Sequence, residues 1–175
     1  MNQSNLSQDN AFSPLGRFGR LSYLAWMFLS SIIGAIILGS LMSFFSDSFQ
    51  ADNFRLEDVS SYPIPAVIIF VAVYLLIIYF NFVFIIRRLH DRSHSGWLSL
   101  LILVPLVNLF FALYLLFAKG DAAANQFGPR RVTRGWEKVL GWIYILLVVF
   151  GVIAAMLIPS YQSYILNSQS TTIEE

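Results

Sequence analysis

Arg87-Arg88-Leu89-His90-Asp91-Arg92-Ser93-His94-Ser95-Gly96-Trp97 is a polar island between two long apolar runs, and its reading decides the fold. It holds three arginines, one aspartate and both histidines of the chain. The residues on either side are suited to lipid. Pro63–Ile86 before it and Trp97–Phe117 after it carry no charged residue. The chain as a whole is 57% hydrophobic and only 12% charged, against roughly 25% charged for a soluble domain. With 175 residues, a single domain is expected. It has no cysteine, which excludes disulfides, thiolate metal sites and cysteine nucleophiles.

Outward from the island, the apolar runs define an all-α, polytopic membrane protein. Three runs, at about 21–45, 63–86 and 139–159, are long enough to cross roughly 30 Å of hydrocarbon as helices. The first is too long for a secretory h-region and lacks a small-residue cleavage site, so it reads as an uncleaved span. Small residues from Gly34 to Ser43 mark its outer half as a helix-packing face, and Tyr23 and Trp26 suit the interface at its entry. Asn81 in the second run should face other protein, because an unpaired amide is costly in lipid. The fourth run, 97–117, is interrupted by Pro105 and Asn108.

That interruption leaves two threadings. If 97–117 spans, the basic residues divide five against six across the membrane, which is no positive-inside signal. If it bends at Pro105–Asn108 and re-enters, every basic residue except Arg55 falls on one side, with the N-terminus cytoplasmic and the tail outside. Each arm would then reach only ~12–15 Å, half the hydrocarbon thickness, and its freed backbone groups would need protein cover. Ser46–Tyr62 is acidic, as a translocated loop should be, and Met1–Ser13 is polar and expected to be loose.

The island itself offers several chemistries. His90 and His94 share a face if the segment is helical, and with Asp91 they could begin a metal shell. No third strong ligand is spaced for it, and Ser93, Ser95 and Gly96 favour a turn, so no metal is expected. His90-Asp91 could handle protons. A structural ion pair of Asp91 with Arg88 or Arg92, and anchoring of the arginines to headgroups, are the plainer readings. There is no nucleophile elbow, no phosphate-cradling glycine loop and no paired acids within a span.

Three motifs together carry a family likeness: Gly16-Arg17-Phe18-Gly19-Arg20, the Arg87–Trp97 island, and Gly120 with Asn125-Gln126-Phe127-Gly128-Pro129. From Pro14 to Arg130 the chain resembles the bacterial inner-membrane proteins catalogued as domain of unknown function 805, the YhaH-like proteins. The resemblance implies a small integral protein of the bacterial inner (plasma) membrane and brings no established activity. It divides the chain into a polar N-terminus (1–13), a membrane domain (14–130), and an additional helix with a polar tail (131–175). If the three motifs form one site, they must share a membrane face, which the re-entrant threading provides. Val149 through Gln169 also looks like the N-terminal helix of a type IV pilin. Glu137 stands where the prepilin glycine would be and Trp142 where the early glutamate would be, so no processing by that route is expected.

The functional expectation is a non-enzymatic membrane protein acting at a cytoplasmic polar face through contacts with lipid, with a membrane-protein partner or with a second copy of itself. That face comprises Arg17, Arg20, Arg87, Arg88, His90, Asp91, Arg92, Gly96, Trp97, Asn125 and Gly128. No cofactor and no nucleic acid are expected. Alternatives are a small transporter or channel with His90-Asp91 at its mouth, and an accessory factor of a type IV pilus system.

Overall fold

The computed structural model describes residues 10–45 and 64–173, with side chains as far as Pro159. The acidic loop Ser46–Tyr62, the first nine residues and residues 174–175 lie outside the described residues. Four α-helices and one 3₁₀ segment follow in the order α1 (Arg20–Phe44), α2 (Ile64–His90), the 3₁₀ helix (Gly96–Leu103), α3 (Val107–Phe117) and α4 (Gly135–Ile173). Three of them, Arg20–Phe44, Ile64–His90 and Gly135–Pro159, are long and apolar enough to cross a membrane.

The packing follows the apolar pattern. α2 runs antiparallel to α1: Phe18, just before α1, meets Phe84, and further along Gly34 meets Ile77. A Cβ on Gly34 would sit 3.1 Å from Ile77 Cδ1, so glycine permits that approach. By contrast, a Cβ on Gly39 would meet nothing within 4 Å, and the rest of the small-residue stripe lines an open groove. α4 runs parallel to α1, with Glu137 at Ser22 and Tyr144 stacked on Phe28. Gly141 lies so close that its Cβ would be 2.8 Å from the Leu21 carbonyl oxygen. The buried core sits at one end of the bundle and is built on Phe18, Leu24, Phe84, Leu89, Phe111 and Leu115. Away from that end, α4 is exposed along Gly151–Pro159, where lipid is the solvent.

The 97–117 run folds back on itself as a helical hairpin. Its first arm is an eight-residue 3₁₀ helix and its second an eleven-residue α-helix, each about 16 Å long at ~2.0 and ~1.5 Å per residue. The reversal uses Pro105 and Leu106; Val107 N donates to Pro105 O at 2.8 Å, and Leu106 takes φ 67°. Both ends of the run return to the same place. Asp121 N donates to Asp91 O at 2.8 Å, and Arg92 Nη1 donates to Lys119 O at 2.5 Å.

Several expectations are corrected. α2 continues through Arg87–His90, so the island begins as the last helical turn, where cations suit the helix dipole. α4 continues past Pro159 to Ile173 rather than ending there, because one proline removes only one main-chain hydrogen bond. The segment 10–13 is docked rather than loose: Ala11 is buried and Phe12 packs edge-on against Trp26 and Phe80. Tyr23 is buried and Trp26 half-buried, and the Trp26 indole N–H donates to Glu137 at 3.0 Å. The Asn81 amide is satisfied by its own helix, donating to Ile77 O at 2.8 Å.

Candidate functional site: a buried arginine–carboxylate cap

The end of α2 explains how the island turns. His94 N donates to Leu89 O and Ser93 N to His90 O, with Ser93 at φ 56°. This is the Schellman closure, with serine in the left-handed position that glycine usually fills. The closure sends His94 away from the helical face. His94 Nε2 then lies 2.6 Å from the Tyr114 hydroxyl, while His90 stacks on Phe127 at 3.8 Å. The two histidines therefore do not share a face. Among the described residues no three His, Asp or Glu side chains gather as metal ligands.

Asp91 is the hub. Its Oδ1 accepts from Arg17 Nε and Nη2 at 3.1 and 3.0 Å, and its Oδ2 accepts from Arg88 Nη1 at 2.8 Å. All three side chains are enclosed, with Arg17 1%, Arg88 0% and Asp91 3% exposed. The ion pair expected with Arg88 is present, and its companion is Arg17 rather than Arg92. Burial pushes the Asp91 carboxyl up from its ordinary range, against the hydrogen bond from Arg17 and the charges of Arg88 and Arg17.

The remaining guanidinium donors are spent on main-chain carbonyls. Arg88 Nε donates to Leu115 O at 2.8 Å, and its Nη2 donates to Ala118 O. These are carbonyls of the last turn and C-cap of α3, which helix geometry leaves without partners. Arg17 donates to Asp121 O, Ala123 O and Gly128 O at 2.6, 2.8 and 3.2 Å, which fixes the loop after α3. Arg87 Nη1 donates to Asn10 O and Ser13 O at 2.7 and 3.1 Å, and its guanidinium lies 4.1 Å from the Phe18 ring centre. Arg92 Nε donates to the Tyr114 hydroxyl at 3.0 Å. Each arginine thus ties a different stretch of chain to one carboxylate or to a helix end.

The loop 121–128 closes the cap. Asn125 Nδ2 donates to His90 O at 2.8 Å and to Asp121 Oδ2 at 3.1 Å. Asn125 and Gly128 also exchange main-chain hydrogen bonds across a tight turn in which Gly128 has φ 110°. Asp121 sits below its ordinary range because Ser93 Oγ and Asn125 hydrogen-bond its carboxylate. The approach of this loop to Asp91 demands a glycine: a Cβ on Gly120 would lie 1.8 Å from Asp91 Oδ2. Gly120→Ala is therefore expected to displace the loop and lower stability by about 2–3 kcal/mol, in the range of severe backbone and overpacking changes. Gly39→Ala, where the new methyl meets nothing, should leave the melting temperature within about 1 °C, and comparing the two melts checks the claim.

The structure thus brings the three sequence motifs together at one end of the bundle, but not as one open surface. Arg17, Arg87, Arg88 and Asp91 face inward, and His90 is nearly enclosed. Arg92, Gly96, Asn125 and Gly128 are half-buried; Arg20 and Trp97 are exposed. His90 and Asp91 do not pair with each other, since His90 Nδ1 lies 3.3 Å from Gly16 O and both Asp91 oxygens are held by arginines.

A second cluster adjoins the first. Glu137 is 0% exposed at the third position of α4. It accepts from Arg131 through both oxygens (2.8 and 2.7 Å), Ser22 Oγ (2.9 Å), Trp26 Nε1 (3.0 Å) and Arg134 N (2.9 Å). The bond back to Arg134 N is half of a capping box. From the sequence, Glu137 stands out only in the prepilin register, although a single carboxylate three residues into an apolar helix is an N-terminal capping signal. Arg131 lies over Phe18 at 5.1 Å, so Phe18 touches guanidinium groups from both clusters.

A helical bundle with lipid-suited spans, a folded-back apolar run and a cap of buried arginines around one aspartate defines an all-α integral membrane protein. A family model described as a protein of unknown function, DUF805, matches residues 11–129, and the chain belongs to that family. No curated protein and no solved structure matches the chain. The match takes in Asp91, its two arginines and the loop to Gly128; Arg131, Glu137 and α4, including its pilin-like stretch, follow it.

Proposed function

We propose that the protein is a non-enzymatic, multi-pass protein of a bacterial plasma membrane, acting through lipid and membrane-protein contacts around its polar cap. The cap faces the cytoplasm. The observation that carries this reading is the re-entrant run, which returns the chain to the cap. With it, ten of the eleven basic residues belong to the cap end, all but Arg55. Basic residues gathered on one side are the positive-inside signature. The inward-facing arginines hold the cap together, while exposed Arg20, Trp97, Lys119 and Arg130 surround it at headgroup depth. Basic groups in that position gain about 1 kcal/mol each from anionic lipid.

The natural absence of cysteine makes the test direct. Lys119→Cys and Arg134→Cys should react with a membrane-impermeant maleimide in inside-out vesicles and stay unlabelled in intact cells. Glu175→Cys should show the reverse. Labelling of Lys119→Cys from outside the cell would overturn the orientation and the cytoplasmic cap with it.

A further inference from the structure

A groove of about 750 Å³ opens between α2, the 3₁₀ helix and the turn at Gln126–Phe127. It lies within the 300–1,000 Å³ range of small-molecule sites. His90, Ile86 and Phe82 form its α2 wall at four-residue spacing, so it runs ~12 Å from the cap toward hydrocarbon depth. Leu100 and Phe127 add apolar surface, and Trp97, 80% exposed, stands at its edge. None of its lining residues is Lys, Arg, Asp or Glu.

Two polar groups in this groove lack partners. Ser99 is only 4% exposed, lines the groove, and its hydroxyl makes no hydrogen bond within the described chain. His90 is 9% exposed; its Nδ1 is engaged by the Gly16 carbonyl, which can only accept, so the proton sits on Nδ1 and Nε2 carries a lone pair. Nε2 faces Gly96, 3.5 Å from where a Cβ there would stand. Both atoms open to the groove, so a ligand that meets them gains hydrogen bonds the described chain does not supply.

We propose that this groove binds a glycerolipid through an uncharged, hydroxyl-bearing end. The lipid hydroxyl donates to His90 Nε2, an ester carbonyl accepts from Ser99, and an acyl chain lies along Ile86, Phe82 and Leu100. The lining lacks a cation, so recognition rests on the hydroxyl and not on a phosphate. The inference rests on the membrane reading above and names the lipid that the cap region would select.

The test is lipid retention by the purified full-length chain in detergent, measured by native mass spectrometry. The probes are dioctanoyl-glycerol, dioctanoyl-phosphatidylglycerol and dioctanoyl-phosphatidylcholine. The two hydroxyl-bearing lipids should bind at least ten-fold tighter than phosphatidylcholine. Tight binding of both, with phosphatidylcholine weak, places recognition on the free hydroxyl that the two share, and weak binding of either one would overturn it. Ser99→Ala removes one hydrogen-bond donor without adding bulk, and should weaken the hydroxyl-bearing lipids about five-fold while leaving phosphatidylcholine unchanged. His90→Phe, which keeps a ring against Phe127, should weaken them similarly. Equal retention of all three lipids, or a Ser99→Ala protein that binds as the parent does, would overturn the proposal. Because the assay is blind to orientation, its failure would leave the cysteine-labelling result standing.

Discussion

Asp91→Ala should lower the melting temperature of the purified protein by about 10 °C. Among the described residues the substitution removes the only carboxylate that Arg17 and Arg88 contact, leaving two enclosed guanidinium groups uncompensated. Removing one partner of a buried ion pair costs about 3–5 kcal/mol, and a chain of this size loses ~2–4 °C per kcal/mol. Asp91→Asn keeps one carbonyl acceptor and should fall between parent and alanine variant. Arg17→Met also destabilises, because Asp121, Ala123 and Gly128 then lose the donor that holds their carbonyls. The double variant Arg17→Met, Asp91→Ala should cost less than the sum of the singles, since each single already breaks the shared pair. A melting temperature for Asp91→Ala within about 2 °C of the parent would show that the cap does not hold the fold together.

The contrast between what could and could not be read from the sequence has a physical basis. Spans are legible because hydrocarbon imposes a minimum length and tolerates almost no charge, so α1, α2 and the apolar part of α4 stand out. The returning run was legible as an alternative because Pro105 breaks it and the basic residues gather on one side only if it returns. What arginines do at a membrane edge is not legible in the same way. Arg17 and Arg87 were expected to face headgroups or a partner, yet they point inward, Arg17 to Asp91 and the carbonyls of the loop after α3, Arg87 to the carbonyls of Asn10 and Ser13. Nothing in the local spacing says that Arg17 will meet Asp91, 74 residues away. Gly120 was visible only as part of a motif; its need for the missing Cβ depends on where Asp91 lies. The loss of the shared histidine face likewise depends on Ser93 taking a left-handed conformation, which few non-glycine residues adopt.

Glu137→Ala should loosen α4 from the rest of the bundle. Its carboxylate accepts from Ser22 and Trp26 on α1, from Arg131 through both oxygens, and from Arg134 N at the start of its own helix. Most other contacts of α4 are apolar, and in lipid an apolar helix gains little by exchanging lipid for protein. The carboxylate is therefore what specifies where α4 docks. Its loss leaves Trp26 Nε1 and Arg134 N without the acceptor they share, and strips Arg131 of its pair. We expect a loss of about 3 kcal/mol, somewhat less than for Asp91, because Arg131 is 10% exposed and can turn toward water. The observable is local. Trp26 and Trp136 meet edge-on at 5.4 Å, so tryptophan emission should shift to the red as that contact opens. Glu137→Gln should retain part of the network and shift less. Because Phe18 touches both Arg87 and Arg131, the cap should feel the change: Glu137→Ala and Asp91→Ala together should depart from additivity by about 0.5 kcal/mol or more. Strict additivity would mean that α4 and the cap are independent units. An unshifted emission spectrum in Glu137→Ala would mean that apolar packing around Gly141 alone holds the helix.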